Sequence, residues 1–439
     1  MSGVSRPAPT LRRALGKWDL TAIGINQVIG SAVFLLPSQV AAQVGSWGPV
    51  AFLAIGGASL LVALCFAELG SRFERTGGAY LYARAAFGRF VGFEIGWMQW
   101  IARITSQAGI ANGVALALGF YWPVVTGGLG RAAVITALTL AIGGINLLGI
   151  RPSAVVVNLL TIAKLVPLGL FIVVGLWFID VDTMAPPGPV SPGQASAAAL
   201  LLVFAFGGYD VIGVPAGEAT SPRRHVPFAF VATIVAVTAV MTLAHVVAMG
   251  TLPGLAASST PLADASAVFM GAGGALLLSV GAVVSMAGNS FGSVLTGSRM
   301  LFALAEHGDL PPFLAAVHPR YRTPSNAIAC MTAVTLVLAL SGSFVVLALA
   351  SGVARLVIYV GTCAAALQLR RRRFRDAAAP ATFVLPAGPV VPLLALVVSL
   401  LILAGATRAQ LVWGVAGLAA GAALFVLNDW FRRTSRASS

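Results

Sequence analysis

The chain has 439 residues, of which 58% are hydrophobic and only 9% are charged, against roughly 25% charged in a typical soluble domain. This composition excludes an ordinary water-soluble globular protein, because so few polar side chains could not cover so much apolar surface. The mean hydropathy of +0.94 indicates that lipid is the relevant solvent. At about 20 apolar residues per span, the chain can hold around a dozen helices joined by short loops.

Apolar runs between polar breaks predict an all-α membrane protein with twelve transmembrane helices. The first run is too long for a signal peptide and lacks a small-residue cleavage site, so it is interpreted as a retained first helix. The predicted spans are 18–43, 48–70, 90–118, 131–149, 154–178, 196–217, 227–252, 272–298, 324–342, 345–369, 387–405 and 410–429.

The basic residues predict how these helices are oriented. With both termini in the cytoplasm, 22 of the 27 Lys and Arg residues fall in the N-terminal tail 1–17, the C-terminal tail 430–439 or cytoplasmic loops. The positive-inside rule therefore predicts a multi-pass protein of a bacterial inner membrane with both tails cytoplasmic. Because the net charge of +14 is spread over short loops, no nucleic-acid partner is expected. The remaining basic residues are Arg131 and Arg408 outside, and Arg103, Lys164 and Arg355 within spans.

Two spans carry helix-loosening residues at mid-depth. Span one contains GINQVIGSA at 24–32, and span six contains FAFGGYD at 204–210. Small residues also permit close helix packing, but backbone irregularity at membrane depth is tolerated where it lines a cavity. Because the two spans are the first and the sixth, they favour an inverted repeat with a midplane site. The predicted repeats are 18–178 and 196–369, with helices eleven and twelve at 387–429 outside them.

Breaks of this kind free backbone groups for binding. The N–H groups of Gly30, Ser31 and Ala32, at the positive start of the outer half of span one, suit a carboxylate. Freed carbonyl groups at the ends of the inner half of span one and the outer half of span six suit an ammonium group. An anion receptor beside a cation receptor matches the constant part of an α-amino acid, so the predicted substrate is an amino acid.

At these residues the chain resembles the amino acid–polyamine–organocation superfamily of transporters, which has a five-plus-five inverted-repeat fold. The segment IGSAVFLLP at 29–37 is similar to the first-helix motif GSGVFLLP of arginine/agmatine-type antiporters, with Ala32 in place of the second glycine. The stretches 67–80, 204–227 and 297–324 resemble other parts of the family. The resemblance runs from about Leu15 to Arg373 and is specific for the superfamily rather than for a substrate.

The resemblance implies roles for individual residues. It puts the substrate carboxylate on the N–H groups of Ser31 and Ala32, and the ammonium on the carbonyls of Val28, Phe204 and Gly207. Phe204 stands where the family often has an aromatic residue that closes over the substrate. The predicted substrate-binding residues are Val28, Ile29, Gly30, Ser31, Ala32, Phe204 and Gly207, and those predicted for coupling or gating are Lys164, Asp210 and Phe204.

Ionisable groups inside the membrane are functional candidates, because they are costly there. Lys164 lies too deep in span five to reach the interface easily. The resemblance implies that its ammonium replaces a sodium ion and bridges helices one and eight, so no sodium site is expected. Lys164 and Asp210 are both candidates for carrying a coupling proton, and a structural role for Asp210 stays open. Arg103 and Arg355 either pair with acids across the bundle or line the permeation path.

The acids near the cytoplasmic ends of the helices are interpreted as salt-bridge partners. Glu68 lies near the inner end of span two, and Glu218 lies beside Arg223 and Arg224. Both are expected in hydrated salt bridges, with a role as gate partners as the alternative.

Enzyme, receptor and channel functions are the alternatives to transport. Residues 288–292 fit the G-x-S-x-G pattern of nucleophilic serines, but that motif needs a strand–turn–helix context. They are interpreted as small-residue packing against span one. The three cysteines lie in apolar runs without metal-ligand spacing, so neither a metal site nor a cofactor is expected.

The expected function is sodium-independent, proton-coupled transport of an amino acid, with lipid as the surroundings. A neutral substrate is favoured because Asp210 is the only fixed anion near the site. An exchanger, or a carrier of cationic amino acids or polyamines, is the alternative, and a monomer and a homodimer are both open.

Overall fold

The computed structural model describes residues 10–119, 122–184, 188–341, 344–371, 377–385 and 387–437. The first nine residues of the predicted N-terminal tail and residues 438–439 of the C-terminal tail therefore lie outside the described residues. Within them the chain forms α-helices and short 3-10 segments, without a β-strand. The α-helices are α1 Lys17–Val28, α2 Ala32–Val44, α3 Gly48–Gly70, α4 Ala79–Phe87, α5 Arg89–Gly119, α6 Gly128–Leu147, α7 Ile150–Gly175, α8 Pro192–Phe206, α9 Pro222–Thr251, α10 Pro261–Glu306, α11 Ser325–Ser341, α12 Phe344–Gln368, α13 Val390–Ala404 and α14 Arg408–Ala437.

The helices coincide closely with the predicted apolar spans. The second predicted span, 48–70, is reproduced by α3, and α5 extends the third by one residue at each end. Helix α10 is longer than predicted but bends at Gly271, whose φ of +64° breaks the helix next to the start of the predicted span 272–298. The length of the apolar runs is therefore sufficient to predict the position of most of these helices.

Helix α4 lies in the segment 72–89, which the hydropathy pattern treats as a cytoplasmic loop. Its nine residues span only about 14 Å at 1.5 Å per residue. The helix is therefore too short to be predicted from apolar runs of membrane-spanning length. Tyr80, Tyr82 and Ala83 are buried against the bundle. The connection is thus a packed helix rather than an open loop.

The outer surface of the bundle is apolar. On α7, Leu159, Val166 and Val173 are exposed, whereas Lys164 and Phe171 on the opposite face are buried. By length and composition, eight helical segments among the described residues could cross a membrane, and the shorter apolar helices α11 and α13 accompany them. Because an apolar exterior with charged side chains turned inward suits hydrocarbon as solvent, the chain is a multi-pass membrane protein.

Candidate functional site

The first interrupted helix comprises α1 and α2, separated by Ile29, Gly30 and Ser31. Helix α1 ends at Val28, and the Gly30 N–H turns back to donate to the Val28 carbonyl at 2.9 Å. The Ser285 hydroxyl donates to the carbonyls of Ile29 and Gly30 at 2.9 and 3.0 Å. A side chain from α10 therefore satisfies the backbone that the break leaves without helical partners.

Polar side chains join α1 to α10 just before the break. The Asn26 amide donates to the Gly288 carbonyl at 2.6 Å, and Gln27 and Asn289 each donate to the other's carbonyl at 2.8 Å. A Cβ on Gly288 would lie 2.5 Å from the Asn26 side-chain oxygen, so a side chain there would displace the Asn26 amide. The segment 288–292 packs against the first span, as interpreted from the sequence, and it also bonds to it.

Lys164 reaches the same break from α7. Its fully buried ammonium donates to the carbonyls of Asn26 at 3.2 Å, Ile29 at 2.7 Å and Ser285 at 3.2 Å. The side chain thus links α7 to both α1 and α10, which is the bridge that the family resemblance implies. Ile29, one of the predicted substrate-binding residues, gives its carbonyl to Lys164 and Ser285 instead.

The second interrupted helix comprises α8 and the 3-10 segments Tyr209–Val211 and Val214–Glu218. Helix α8 ends at Phe206, and Gly208 has a φ of +127°, which only glycine adopts without strain. A Cβ on Gly208 would lie 2.5 Å from the Gln27 carbonyl oxygen. The two interruptions therefore touch each other, backbone against backbone.

A small cavity of about 60 Å³, here called the site cavity, lies where the interruptions meet. Six of the seven predicted substrate-binding residues line it, all except Ile29. Several polar residues of the wall were not predicted from the sequence. Gln27 and Asn289 could have been, because each is an amide residue in the middle of an apolar run. The predicted lining residues are Val28, Gly30, Ser31, Ala32, Phe204 and Gly207, and the missed ones include Gln27, Thr105, Ser106, Asn289 and Ser351.

A second cavity, here called the large cavity, has a volume of about 1030 Å³. Its walls come from α2, α8 and α12, together with Ile402 of α13, Gln410 of α14 and the connections at 256–259 and 406–407. Phe204 and Arg355 line both cavities, and Phe204 is 42% exposed. These two side chains therefore stand between the site cavity and the large cavity.

Arg355 and Arg103 have different surroundings. The Arg355 guanidinium lies 5.9 Å from the centre of the Phe204 ring, and its side chain is only 7% exposed. Arg103 donates to the Gln27 side-chain oxygen at 2.9 Å and lies 3.8 Å from the Asp210 carboxylate. Of the two roles left open by the sequence, Arg103 pairs with an acid and Arg355 lines a cavity.

Asp210 lies behind the site cavity rather than on its wall. It is fully buried, and the Gln99 amide donates to its backbone carbonyl at 3.0 Å and to its carboxylate at 3.1 Å. Asp210 therefore connects the second interrupted helix to α5 through Gln99 and Arg103.

Residues 15–425 match the amino acid permease family. The chain belongs to this family, within the amino acid–polyamine–organocation superfamily. The permease is 31% identical to the serine/threonine exchanger SteT of Bacillus subtilis, over 90% of this chain and 91% of that protein. It is 28% identical to the branched-chain amino acid permease BcaP of the same organism, over 90% and 88%. It is 31% identical to an arginine/ornithine antiporter of Pseudomonas aeruginosa, over 70% and 67%.

A buried ion pair lies at the end of the second interrupted helix. Glu218 accepts from Arg299 at 2.8 and 3.2 Å, and both side chains are fully buried. The hydrated salt bridge expected for Glu218 is wrong, because the 3-10 turn directs the carboxylate inward to a fully buried partner on α10. Arg223, in the first turn of α9, donates to the Ser71 carbonyl instead.

The chain before α1 is hydrogen-bonded to the same end of the second interrupted helix. The Ala14 N–H donates to the Glu218 carbonyl at 2.7 Å, and the Thr220 N–H donates to the Leu15 carbonyl at 2.9 Å. Glu68 is also buried rather than hydrated, in ion pairs with Arg72 and Arg370.

Proposed function

We propose that the permease carries an amino acid across the bacterial inner membrane by alternating access, and that it is not an enzyme. One observation carries this proposal: two interrupted helices meet at a single cavity, with the start of α2 on its wall. A helix start attracts negative charge, and broken helices at mid-depth are where transporters hold their substrates. The names of the three relatives, all of which describe transport or exchange of amino acids, agree with it.

In the proposed complex, the N–H groups of Ser31 and Ala32 bind the substrate carboxylate. The Gly30 N–H is already engaged with the Val28 carbonyl. The carbonyls of Val28, Phe204 and Gly207 receive the ammonium. Those of Val28 and Phe204 each accept one N–H within the chain, but a carbonyl oxygen has two lone pairs.

The proposed architecture is twelve spans in a five-plus-five inverted repeat, with both tails cytoplasmic. The agreement of the helices with the predicted spans and the positions of the two interruptions support it. In this orientation, the large cavity opens outward and the Glu218–Arg299 pair closes the cytoplasmic side. The structure then corresponds to an outward-facing state.

We further propose that transport is independent of sodium and coupled to protons, with Lys164 or Asp210 as the proton carrier. The ammonium of Lys164 among three carbonyl oxygens supports the first part. Exchange of one amino acid for another is the second candidate, because two of the relatives are named an exchanger and an antiporter. No carboxylate of the described residues lines the site cavity, which disfavours a cationic substrate.

Uptake into proteoliposomes tests the proposal. Labelled amino acids of each charge class are supplied with and without a pH gradient, sodium and internal unlabelled substrate. Symport predicts accumulation driven by the pH gradient, whereas exchange requires internal substrate. If no amino acid enters the vesicles or raises the melting temperature of the detergent-solubilised protein, the proposed function is wrong. Flux unaffected by internal substrate or by gradients would indicate a channel.

A further inference from the structure

One positive charge between the two cavities has no negative partner. Arg355 is the only charged residue among the described residues that line either cavity. No carboxylate of the described residues lies within 4.0 Å of its guanidinium, and its buried Nε has no hydrogen-bond acceptor. A guanidinium at membrane depth that has no fixed anion beside it favours an anionic ligand. The position therefore calls for an anion that comes from outside the chain.

The nearby acids are engaged elsewhere. Asp210 faces Gln99 and Arg103 behind the cavity wall. Asp264, whose partner Ser258 lines the large cavity, accepts hydrogen bonds from Ser258 and Thr260. Neither carboxylate lies within 4.0 Å of the Arg355 guanidinium.

We propose that the substrate of the permease is an acidic amino acid, whose side-chain carboxylate binds Arg355. This inference rests on the proposed function, because it assigns the rest of the same substrate. The α-carboxylate lies at the start of α2, and the side chain extends past Phe204 toward the large cavity. A guanidinium binds a carboxylate through two parallel N–H···O bonds, and the stem of the substrate side chain packs against the Phe204 ring.

The sequence favours a neutral substrate because it offers few anions near the site to bind a cationic one. It also contains Arg355, but nothing in the sequence of α12 predicts that this side chain points into the two cavities. Its position on both cavity walls reverses the expectation.

The test compares glutamate and aspartate with neutral amino acids as competitors and as substrates in proteoliposomes. In the unaltered permease, an acidic amino acid is expected to be the strongest competitor. In Arg355→Gln the ratio of apparent affinities, acidic over neutral, is expected to fall about 10- to 100-fold, the range for hydrogen bonds to a charged group. Arg355→Lys, which keeps the charge but cannot form the two parallel N–H···O bonds, should give an intermediate ratio.

Arg408→Gln is the matched control, because it removes an exposed arginine at the start of α14 that lines neither cavity. It should leave the ratio unchanged. Melting temperatures in detergent establish that each variant is folded. The inference is overturned if neutral amino acids compete and are transported while glutamate and aspartate do neither, or if Arg355→Gln leaves the ratio unchanged. If no amino acid of any class binds, the proposed function itself fails.

Discussion

Three backbone carbonyl oxygens converge on the ammonium of Lys164 in the interior of the bundle. They come from both sides of the contact between α1 and α10, so this single side chain stabilises the break in the first helix. Without the ammonium, the Ile29 carbonyl would keep only the Ser285 hydroxyl as a donor, and the buried carbonyls of Asn26 and Ser285 would lose a charged donor. Such a loss is costly at membrane depth.

Lys164→Gln is therefore expected to lower uptake by at least about tenfold, the equivalent of one lost hydrogen bond to a charged group. The measurement is initial uptake in proteoliposomes, repeated over a range of sodium at constant ionic strength. The matched control is Lys17→Gln, which changes the only other lysine, an exposed one. Uptake by the unaltered permease that rises steeply with sodium would contradict the role proposed for Lys164.

The Glu218–Arg299 pair gives a second prediction at the residue scale. Because both side chains are fully buried, Glu218→Gln should lower the free energy of unfolding by about 3–5 kcal/mol, the usual cost of leaving one buried charge unpaired. Glu74→Gln is the control, since Glu74 and Arg13 pair at 3.9 Å with half of each side chain exposed, and it should cost about 1 kcal/mol or less. Denaturation in detergent measures the free energy of unfolding of both variants. Equal losses would contradict the stabilising role of the Glu218–Arg299 pair.

At the scale of the elements, the contact between the two interrupted helices depends on Gly208. A side chain there meets two obstacles, a φ of +127° and the Gln27 carbonyl oxygen at 2.5 Å from the added Cβ. The second interruption can therefore approach the first only where a glycine stands.

Gly208→Ala should destabilise the protein by about 1–3 kcal/mol and abolish most of the uptake, because it separates the two breaks. Gly169→Ala is the matched control: an added Cβ at Gly169, within α7, meets nothing within 4 Å. Melting temperature and uptake are measured on both variants. Normal uptake by Gly208→Ala would mean that the contact is not needed for transport.

The interruptions could be predicted from the sequence because Gly30, Gly207 and Gly208 stand in otherwise apolar runs. Helix α4 and the partner of Glu218 could not be predicted from the sequence. A nine-residue helix has no membrane-length signal, and the choice between Arg223 and Arg299 depends on the direction of a 3-10 turn that periodicity does not encode. Likewise, Gln27 and Asn289 are visible as polar residues, but their mutual hydrogen bonds join residues that are 262 positions apart.

At the scale of the whole molecule, the large cavity and the buried Glu218–Arg299 pair lie at opposite ends of the interrupted helices. The distribution of basic residues predicts which end faces the cytoplasm, and this prediction decides whether the structure is outward-facing. The accessibility of introduced cysteines tests it directly.

In a background without Cys65, Cys330 and Cys363, Thr407→Cys should react in intact cells with a maleimide that cannot cross the membrane. Ala379→Cys, in the predicted cytoplasmic loop between the spans 345–369 and 387–405, should react only after the cells are permeabilised. Thr407 and Ala379 are both exposed, so burial does not explain a difference between them. The opposite pattern would reverse the orientation and the assignment of the state.

The attachment of Lys164 to the chain has a consequence for energetics. Its amine is part of the chain and, unlike a sodium ion, cannot leave for the solvent, so its place among the carbonyls does not depend on the sodium concentration. A side chain that stays at the break carries no sodium across the membrane and gives the substrate no share of a sodium gradient. Uphill movement must then be driven by another species, a proton or a second amino acid, that enters on one side and leaves on the other.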